Sequence, residues 1–417
     1  MNQPSIPASC DQLPANTLRV EQAQQRILDS ISPLQATETL SLMQALGRIL
    51  AEAIIAPVNV PPHRNSAMDG YALRQADAAN EQGLKIIGTA FAGRPFQGNV
   101  QAGECVRIMT GAVVPEGADS VVMQENVQRI GDIIHLNSTL KMGENVRYPG
   151  EDMRIGDIVL EVGRKLNATD IGLLASLGIG EVTVLRRPRV AFCSTGDELK
   201  RVGESLQPGD IYDSNRYSLF GMLQKLDVEV IDLGVVRDTP EAVEAVFQQA
   251  SQRAEVFITS GGVSVGEADY VTETLQRLGE VNFWKIAIKP GKPLTYGKVG
   301  DCRFFGLPGN PVAVIVTFLL FVRPAILRLR GESIPVLPEY TAICDSNIKK
   351  APGRKDYQRG ICERHANGQW RVRSVSPQGS HILSSLTHAN CFLALPLEAG
   401  NIQAGSEVTI VPFDGLL

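Results

Sequence analysis

An α/β sheet domain combined with several β-rich parts is the fold class this sequence predicts, on three observations. From Arg189 onward, apolar strand-like runs alternate with amphipathic helical runs at the spacing of βαβ units. Between Pro57 and Pro149 the runs are short and alternating, as in GECVRIMT and ADSVVMQE, and are broken by Gly, Pro and Asn. From about Ile334 short strands and turns return, ending in SEVTIVPF.

The chain has 417 residues, enough for roughly two to four domains. A hydrophobic share of 44% and a charged share of 20% fit a globular protein with buried cores. The formal charge of -5 argues against generic nucleic-acid or anionic-membrane binding, so any basic site must be local. The first twenty residues lack a basic start followed by an apolar core, which makes the cytoplasm the default location. The apolar run from Val312 to Val322, closed by Arg323 and Pro324, is short for a membrane span and reads as a buried helix. The seven cysteines form no CxxC and share no ligand spacing with the five histidines, so a structural zinc site is not expected.

In order along the chain, residues 1–19 read as a loose tail. Residues 20–56 suggest two short helices separated by Pro33. Residues 57–149 form the β-rich part. Residues 150–186, with a helical NATDIGLLASLG from Asn167, return to the first helices, making 57–149 an insertion into a helical linking domain. Residues 187–332 form the sheet domain, with strands VAFCST, VEVIDLG, EVFITS, VNFWKIAI and RFFGL, and helices from Ser214, from Pro240, near Tyr270 and from Pro311. Thr239-Pro240 and Asn310-Pro311 both read as an N-cap followed by proline at the first helical position. The sheet is expected to be mainly parallel and helix-covered, with a C-terminal β-domain over residues 333–417.

In such sheets ligands bind beyond the carboxyl ends of the strands. Those ends carry Thr195-Gly196-Asp197-Glu198, Arg237-Asp238, Ser260-Gly261-Gly262, Lys289-Pro290-Gly291-Lys292 and Pro308-Gly309-Asn310. Glycine permits positive φ and close backbone approach, so amides in these turns can face an anion, and neighbouring lysines add charge. An anionic, phosphorylated ligand follows. GGVSVG lacks GxGxxG spacing, and Gly291-Lys292 is followed by proline where a P-loop has Ser or Thr, so dehydrogenase and ordinary kinase readings weaken.

The segments NSAMDGYA, RIMTGAVVPEGAD, GED, STGDEL, IYDSN, SGGVSVGEADY, KPGKP and GLPGNPV, in this order, closely resemble the MoeA family, whose animal relative is the gephyrin E domain. The resemblance runs from about residue 20 to the end. It implies a molybdopterin-binding fold for the sheet domain and transfer of molybdenum from molybdate into adenylylated molybdopterin, with release of AMP and a requirement for magnesium. It also implies an elongated homodimer whose cleft draws on both protomers, and contact with the molybdopterin adenylyltransferase and with molybdoenzymes.

A pyrophosphate beside molybdate needs amide turns, cations or both, and cleaving the anhydride calls for Mg2+ held by carboxylates. Asp238, Asp269 and Glu198 are the expected metal ligands. Asp69 and Asp152, from the preceding parts, match family motifs and could complete the cleft from a partner chain. Lys285 and Lys289, on one strand pair, would flank phosphate or molybdate. Substrate contacts are expected from Thr110, Thr195, Ser260, Gly261, Gly262, Ser264, Gly266, Gly291, Lys292 and Ser380, with Pro308 and Pro311 acting through shape. Asp197 reads as a loop group, His63 as solvent-exposed, and Cys193 and Cys302 as core. A noncatalytic pterin-binding scaffold and the adenylyltransferase itself are the competing readings; metal-dependent AMP release excludes the first, and the presence of residues 20–186 with the C-terminal β-domain argues against the second.

Overall fold

The computed structural model describes residues 17–261, 270–332 and 337–417. It divides into two compact units, Glu38–Val184 and the remainder, Met1–Thr37 with Leu185–Leu417.

The larger unit is built on a seven-stranded sheet. Its elements are β1 (Thr17–Leu18), α1 (Val20–Asp29), β2 (Arg189–Thr195), α2 (Ser214–Gln224), β3 (Glu229–Val236), α3 (Pro240–Arg253) and β4 (Val256–Ser260). There follow α4 (Tyr270–Leu278), β5 (Glu280–Ile286), β6 (Ile288–Lys289), β7 (Pro293–Val299), β8 (Cys302–Leu307) and the helix α5 (Pro311–Leu329). The strand order is β1-β5-β7-β8-β4-β2-β3. Strands β2, β3, β4 and β8 are mutually parallel, but β7 runs antiparallel to both β5 and β8. The sheet is mainly parallel, as predicted from the sequence, with a single antiparallel strand toward one side. A hairpin strand, PLTYGKV, is inserted where none was expected, and because β7 reverses direction, β5 still points the same way as β8.

Alternation along the buried strands sorts side chains to two cores. Val190, Phe192, Ile258, Phe305 and Leu307 face α1, α2 and α5, while Ala191, Cys193, Phe257 and Phe304 face α3 and α4. Burial on both faces is what a central parallel strand requires, and it explains the near-continuous apolar runs. Cys193 and Cys302 are core residues, as expected. The apolar helix α5 is 83% buried over its most hydrophobic window, so its composition answers to the protein core. Phe247, Phe257 and Phe304 cluster edge-to-face and tilted in the second core with centroids 4.8 to 5.6 Å apart, each contact adding about 1 kcal/mol to burial.

Three local expectations need correction. Helix α1 packs its buried Val20, Ala23 and Ile27 into the sheet domain's first core and does not belong to the linking domain. The second N-terminal helix is a strand, Thr37–Ser41, followed by a single turn, Leu42–Ala45, because apolar residues there alternate before they reach helical spacing. Thr239 caps α3 through its hydroxyl, but Asn310 makes no side-chain cap on α5 and only its backbone and Pro311 start that helix. Of the expected tail, residues 1–16 lie outside the described residues, and Thr17–Leu18 add an edge strand beside β5.

The chain then builds a barrel from β9 (Tyr340–Cys344), β10 (Lys355–Arg364), β11 (Trp370–Ser374), β12 (Cys391–Leu395) and β13 (Glu407–Pro412). The order β10-β11-β9-β13-β12 closes because β10 also pairs with β12. Closure removes open edges. The expected strand VNFWKIAI is divided: β5 stays in the large sheet, whereas β6 pairs with β10, Lys289 opposite Asp356. One segment thus fastens the sheet domain to the barrel.

In the smaller unit, six strands form one sheet in the order Ser120–Met123, Gly70–Leu73, Glu104–Ile108, Leu84–Ala90, Ile133–Leu136, Val127–Ile130. A separate core of Leu42, Leu50, Leu160, Leu166, Leu174 and Val184 joins the segments on either side of it. The helix Ala168–Ser176 starts with Asn167 in a capping box, and Arg164 grips Asp170 through two bonds of 2.8 and 3.0 Å.

Glu255 anchors the start of β2. It accepts hydrogen bonds from the Arg189 amide and guanidinium and from Arg186, with its side chain 16% exposed. Burial opposes its charge, but these donors outweigh burial and hold its carboxyl below the usual range. A depressed carboxylate contributes stability above its unfolded pKa, lost as the pH falls through the folded one. Glu255→Gln is expected to cost about 2 kcal/mol at neutral pH, read as a thermal midpoint roughly 5 °C lower, and the gap to the wild type should narrow below about pH 4. An unchanged midpoint at pH 7 would contradict this.

Candidate active site

The carboxyl ends of β2, β3, β4 and β8, with the loop after β6, surround one cavity of about 690 Å3. From the sheet side come Thr195, Gly196, Glu198, Asp238, Gly261, Pro308, Gly309 and Asn310. From the crossover come Lys289, Pro290, Gly291 and Lys292, and from the barrel Arg354, Asp356, Gln358, Arg359, Gln378, Gly379 and Ser380. Two glycines are required by the geometry. A Cβ on Gly261 (φ +92°) would stand 2.6 Å from the Thr195 carbonyl oxygen, and one on Gly291 (φ +105°) 2.6 Å from Thr317 Cγ2.

The barrel wall is charged and internally braced. Lys289 Nζ lies 3.3 Å from Asp356 Oδ2, which also accepts a 3.0 Å bond from Gln358 Nε2. Asp356 is 4% exposed, whereas the Lys289 side chain is 47% exposed, so the ammonium reaches the cavity while its counter-ion stays buried. Arg359, 2% exposed, donates to Ser385 Oγ and the Gly379 carbonyl, each at 3.0 Å. Burial draws its guanidinium below the ordinary range and Asp356 pushes it back. On the sheet side, Asn215 Nδ2 donates to Ser260 Oγ (2.8 Å) and the Gly309 carbonyl (2.7 Å), holding two of the loops together. Asp197 accepts from the Asp238 amide at 3.3 Å, a loop-bracing role.

Of the residues singled out from sequence, Thr195, Glu198, Asp238, Gly261, Lys289, Gly291, Lys292, Pro308 and Ser380 line this cavity, and Ser260 and Pro311 line an adjoining one. Lys285 does neither. It sits inside β5, paired with Pro293 and Thr17, four residues short of the crossover that carries Lys289 to the barrel. Gly262, Ser264, Gly266 and Asp269 lie outside the described residues. Asp69, Thr110 and Asp152 belong to the smaller unit. Sequence reasoning missed the barrel contribution of Asp356, Gln358, Arg359 and Gln378, and the brace Asn215. The available signal was the charged run GRKDYQRG inside a strand that must be buried to close a barrel.

Three family profiles match in succession: the MoeA N-terminal region (domain I and II) over residues 18–178, the "Probable molybdopterin binding domain" over 191–328, and the MoeA C-terminal region (domain IV) over 341–413. A curated protein of Haemophilus influenzae named molybdopterin molybdenumtransferase is 48% identical over 402 residues, covering 96% of this chain and 100% of its own. The chain belongs to the MoeA family. A Nostoc protein of the same name is 35% identical over 92% of the chain and 91% of its own length. Among solved structures, a MoeA protein from Pyrococcus horikoshii superposes with a TM-score of 0.82 at 31% identity, covering 95% of this chain and 99% of that one.

Within the MoeA N-terminal region, two expected residues meet. Asp69 Oδ1 accepts from the Thr110 amide at 2.7 Å and from its hydroxyl at 2.8 Å. These bonds, amide first, lower the Asp69 pKa. Thr110→Val deletes the hydroxyl bond alone, so the Asp69 carboxyl should titrate at a higher pH than in the wild type, measured by carbon NMR of the labelled carboxylate. An unchanged titration would show the hydroxyl bond to be inert.

Donor chemistry at the sheet rim of this MoeA chain suits a hard cation. Glu198 and Asp238 line the same cavity as Thr195, and Mg2+ is commonly held by one or two carboxylates, with substrate phosphates and water completing its shell. Among the described residues no group of three His, Cys, Asp or Glu is placed to hold a metal by itself. The third expected ligand, Asp269, lies outside the described residues.

Proposed function

We propose that this chain inserts molybdenum, delivered as molybdate, into adenylylated molybdopterin and releases AMP with the help of Mg2+, acting as a cytoplasmic homodimer. The observation that carries this reading is the single cavity in which Lys289, Lys292, Glu198, Asp238 and the Gly261 and Gly291 turns stand together, in a chain of the MoeA family.

Division of labour follows from charge. Lys289, Lys292 and the buried Arg359 provide positive potential for molybdate and phosphate. Lys292 is also fixed at its backbone, its carbonyl accepting from the Ile286 amide at 2.7 Å. Gly261 and Gly291 allow the backbone to come close to oxyanions. Glu198 and Asp238, together with Asp269, would hold Mg2+, which when bound would neutralise charge on the phosphoryl oxygens as the anhydride opens. Pro308 lines the cavity and Pro311 starts α5, so the two prolines frame the turn into that helix. Asp69, Asp152 and Thr110 are proposed to serve the same reaction from the N-terminal region, and the adenylyltransferase and molybdoenzymes are the proposed supplier and recipients.

The test is AMP release together with cofactor formation from adenylylated molybdopterin, with and without molybdate and Mg2+. Release that needs both supports the reading. AMP release indifferent to molybdate, or no release from substrate-saturated protein, would refute it.

A further inference from the structure

The wall that the barrel gives to the cavity is held by two residues that clasp each other, Gln378 and Arg359. The β10–β11 ladder ends where Gly360 stands opposite Ser374, so the Arg359 amide meets no strand residue beyond it. The Gln378 side chain takes that place. Its Oε1 accepts from the Arg359 amide at 3.0 Å, and its Nε2 donates to the Arg359 carbonyl at 2.8 Å and to Ser374 Oγ at 3.1 Å. Arg359 returns the contact, its guanidinium donating to the carbonyl of Gly379 at 3.0 Å. The side chain of one residue thus grips the backbone beside the other.

Ser380 comes next in the chain. It lines the cavity and is one of the expected substrate contacts. Its carbonyl accepts from the Val312 amide at 3.1 Å, the first backbone donor of α5, because Pro311 has none. The loop is therefore tied to β10 on one side and to the start of α5 on the other, with Ser380 at the junction. Arg359 is buried, and a buried amide stripped of its acceptor is costly enough to make the loop shift in search of another. The Gln378 amide nitrogen has two hydrogens and already faces two protein acceptors, so the side chain works inward and has no donor left for a ligand.

We infer that Gln378 is a positioning residue: through its clasp with Arg359 it fixes the loop that presents Ser380 to the anionic substrate, without touching that substrate itself. This rests on the proposed function and adds to it a residue that acts through another. A hydroxyl held in place before the substrate arrives pays no reorganisation when it binds, and a small displacement forfeits that advantage.

Gln378→Met keeps the length of the side chain and deletes the hydrogen bonds of the clasp. It should lower kcat/KM for molybdate-dependent AMP release from adenylylated molybdopterin by at least about tenfold. Ser380→Ala should cost a comparable factor in the wild-type chain but at most about twofold in the Gln378→Met chain, since a hydroxyl already out of place has little left to lose. General destabilisation would not produce that coupling. Hydrogen exchange read by mass spectrometry needs no substrate: in Gln378→Met the loop 375–380 and the start of α5 should exchange faster, with β6 at the wild-type rate. Should Gln378→Met fail to fold, Ser374→Ala removes one bond of the clasp alone, and the same coupling to Ser380→Ala is expected from it. Wild-type kcat/KM in Gln378→Met, a Ser380→Ala change without effect in the wild type, or an undiminished Ser380→Ala penalty in the Gln378→Met chain would each overturn the inference. If the wild type itself shows no molybdate-dependent release, the proposed function falls instead, and unchanged exchange in the loop would then overturn the clasp independently.

Discussion

Lys289→Ala is expected to lower molybdate-dependent AMP release by at least about a hundredfold in a chain that still folds, the scale seen when one preorganised electrostatic group is removed from an active site. The size of the effect comes from what stays behind. Asp356 is buried against the Lys289 ammonium at 3.3 Å. Without that cation a carboxylate faces the same space as an anionic substrate, so lost attraction is joined by new repulsion. Asp356→Asn in the Lys289→Ala background should therefore recover part of the lost rate, and the two changes should not add. Rates for the two single variants and the double variant, with thermal unfolding as the fold control, decide it. If the double variant is as slow as the product of the singles, the pair is not coupled and the barrel wall has no part in the site.

Whether Lys289 or Lys285 carries this role could not be read from the sequence. Lys285 lies in the run VNFWKIAI, which reads as a single strand, and Lys289 follows it directly; the transfer of Ile288–Lys289 to the barrel separates them. A strand that changes sheets is a tertiary event with no local signature. The same holds for PLTYGKV, whose antiparallel pairing inside a βαβ pattern leaves the loop after β5 on the expected side only because β7 turns back. By contrast, the strand ends bearing Thr195, Asp238, Gly261 and Pro308 were legible, because βαβ spacing fixes where carboxyl ends collect and glycine marks close approach. Helix α1 was misassigned because an amphipathic stripe states that a face is buried without stating against what. Asp356 and Arg359 escaped notice for the opposite reason: charged residues in a strand normally signal an exposed face, and only closure of the barrel and the pairing with β6 bury them.

The second large effect is expected at the acidic edge. Glu198→Gln or Asp238→Asn should raise the Mg2+ concentration needed for half-maximal AMP release by at least about tenfold, with a lower rate at saturation, because a carboxylate site that loses one charge must depend more on the substrate's phosphates. Two controls separate metal binding from general damage. Asp197 is adjacent in sequence and accepts from the Asp238 amide, a bond that Asp197→Asn can keep, so that variant should retain most of the wild-type Mg2+ dependence. Gly196 offers the converse. A Cβ there would stand 2.5 Å from Glu198 Oε2, on a backbone at φ +148° that side chains rarely adopt. Gly196→Ala therefore displaces the Glu198 carboxylate without removing its charge, and should reproduce the Mg2+ defect of Glu198→Gln. Mg2+ titrations of AMP release for all four variants test this, and if Glu198→Gln and Asp238→Asn lose rate with no change in the Mg2+ midpoint, these carboxylates act on the substrate directly and the assignment of the metal to them is wrong.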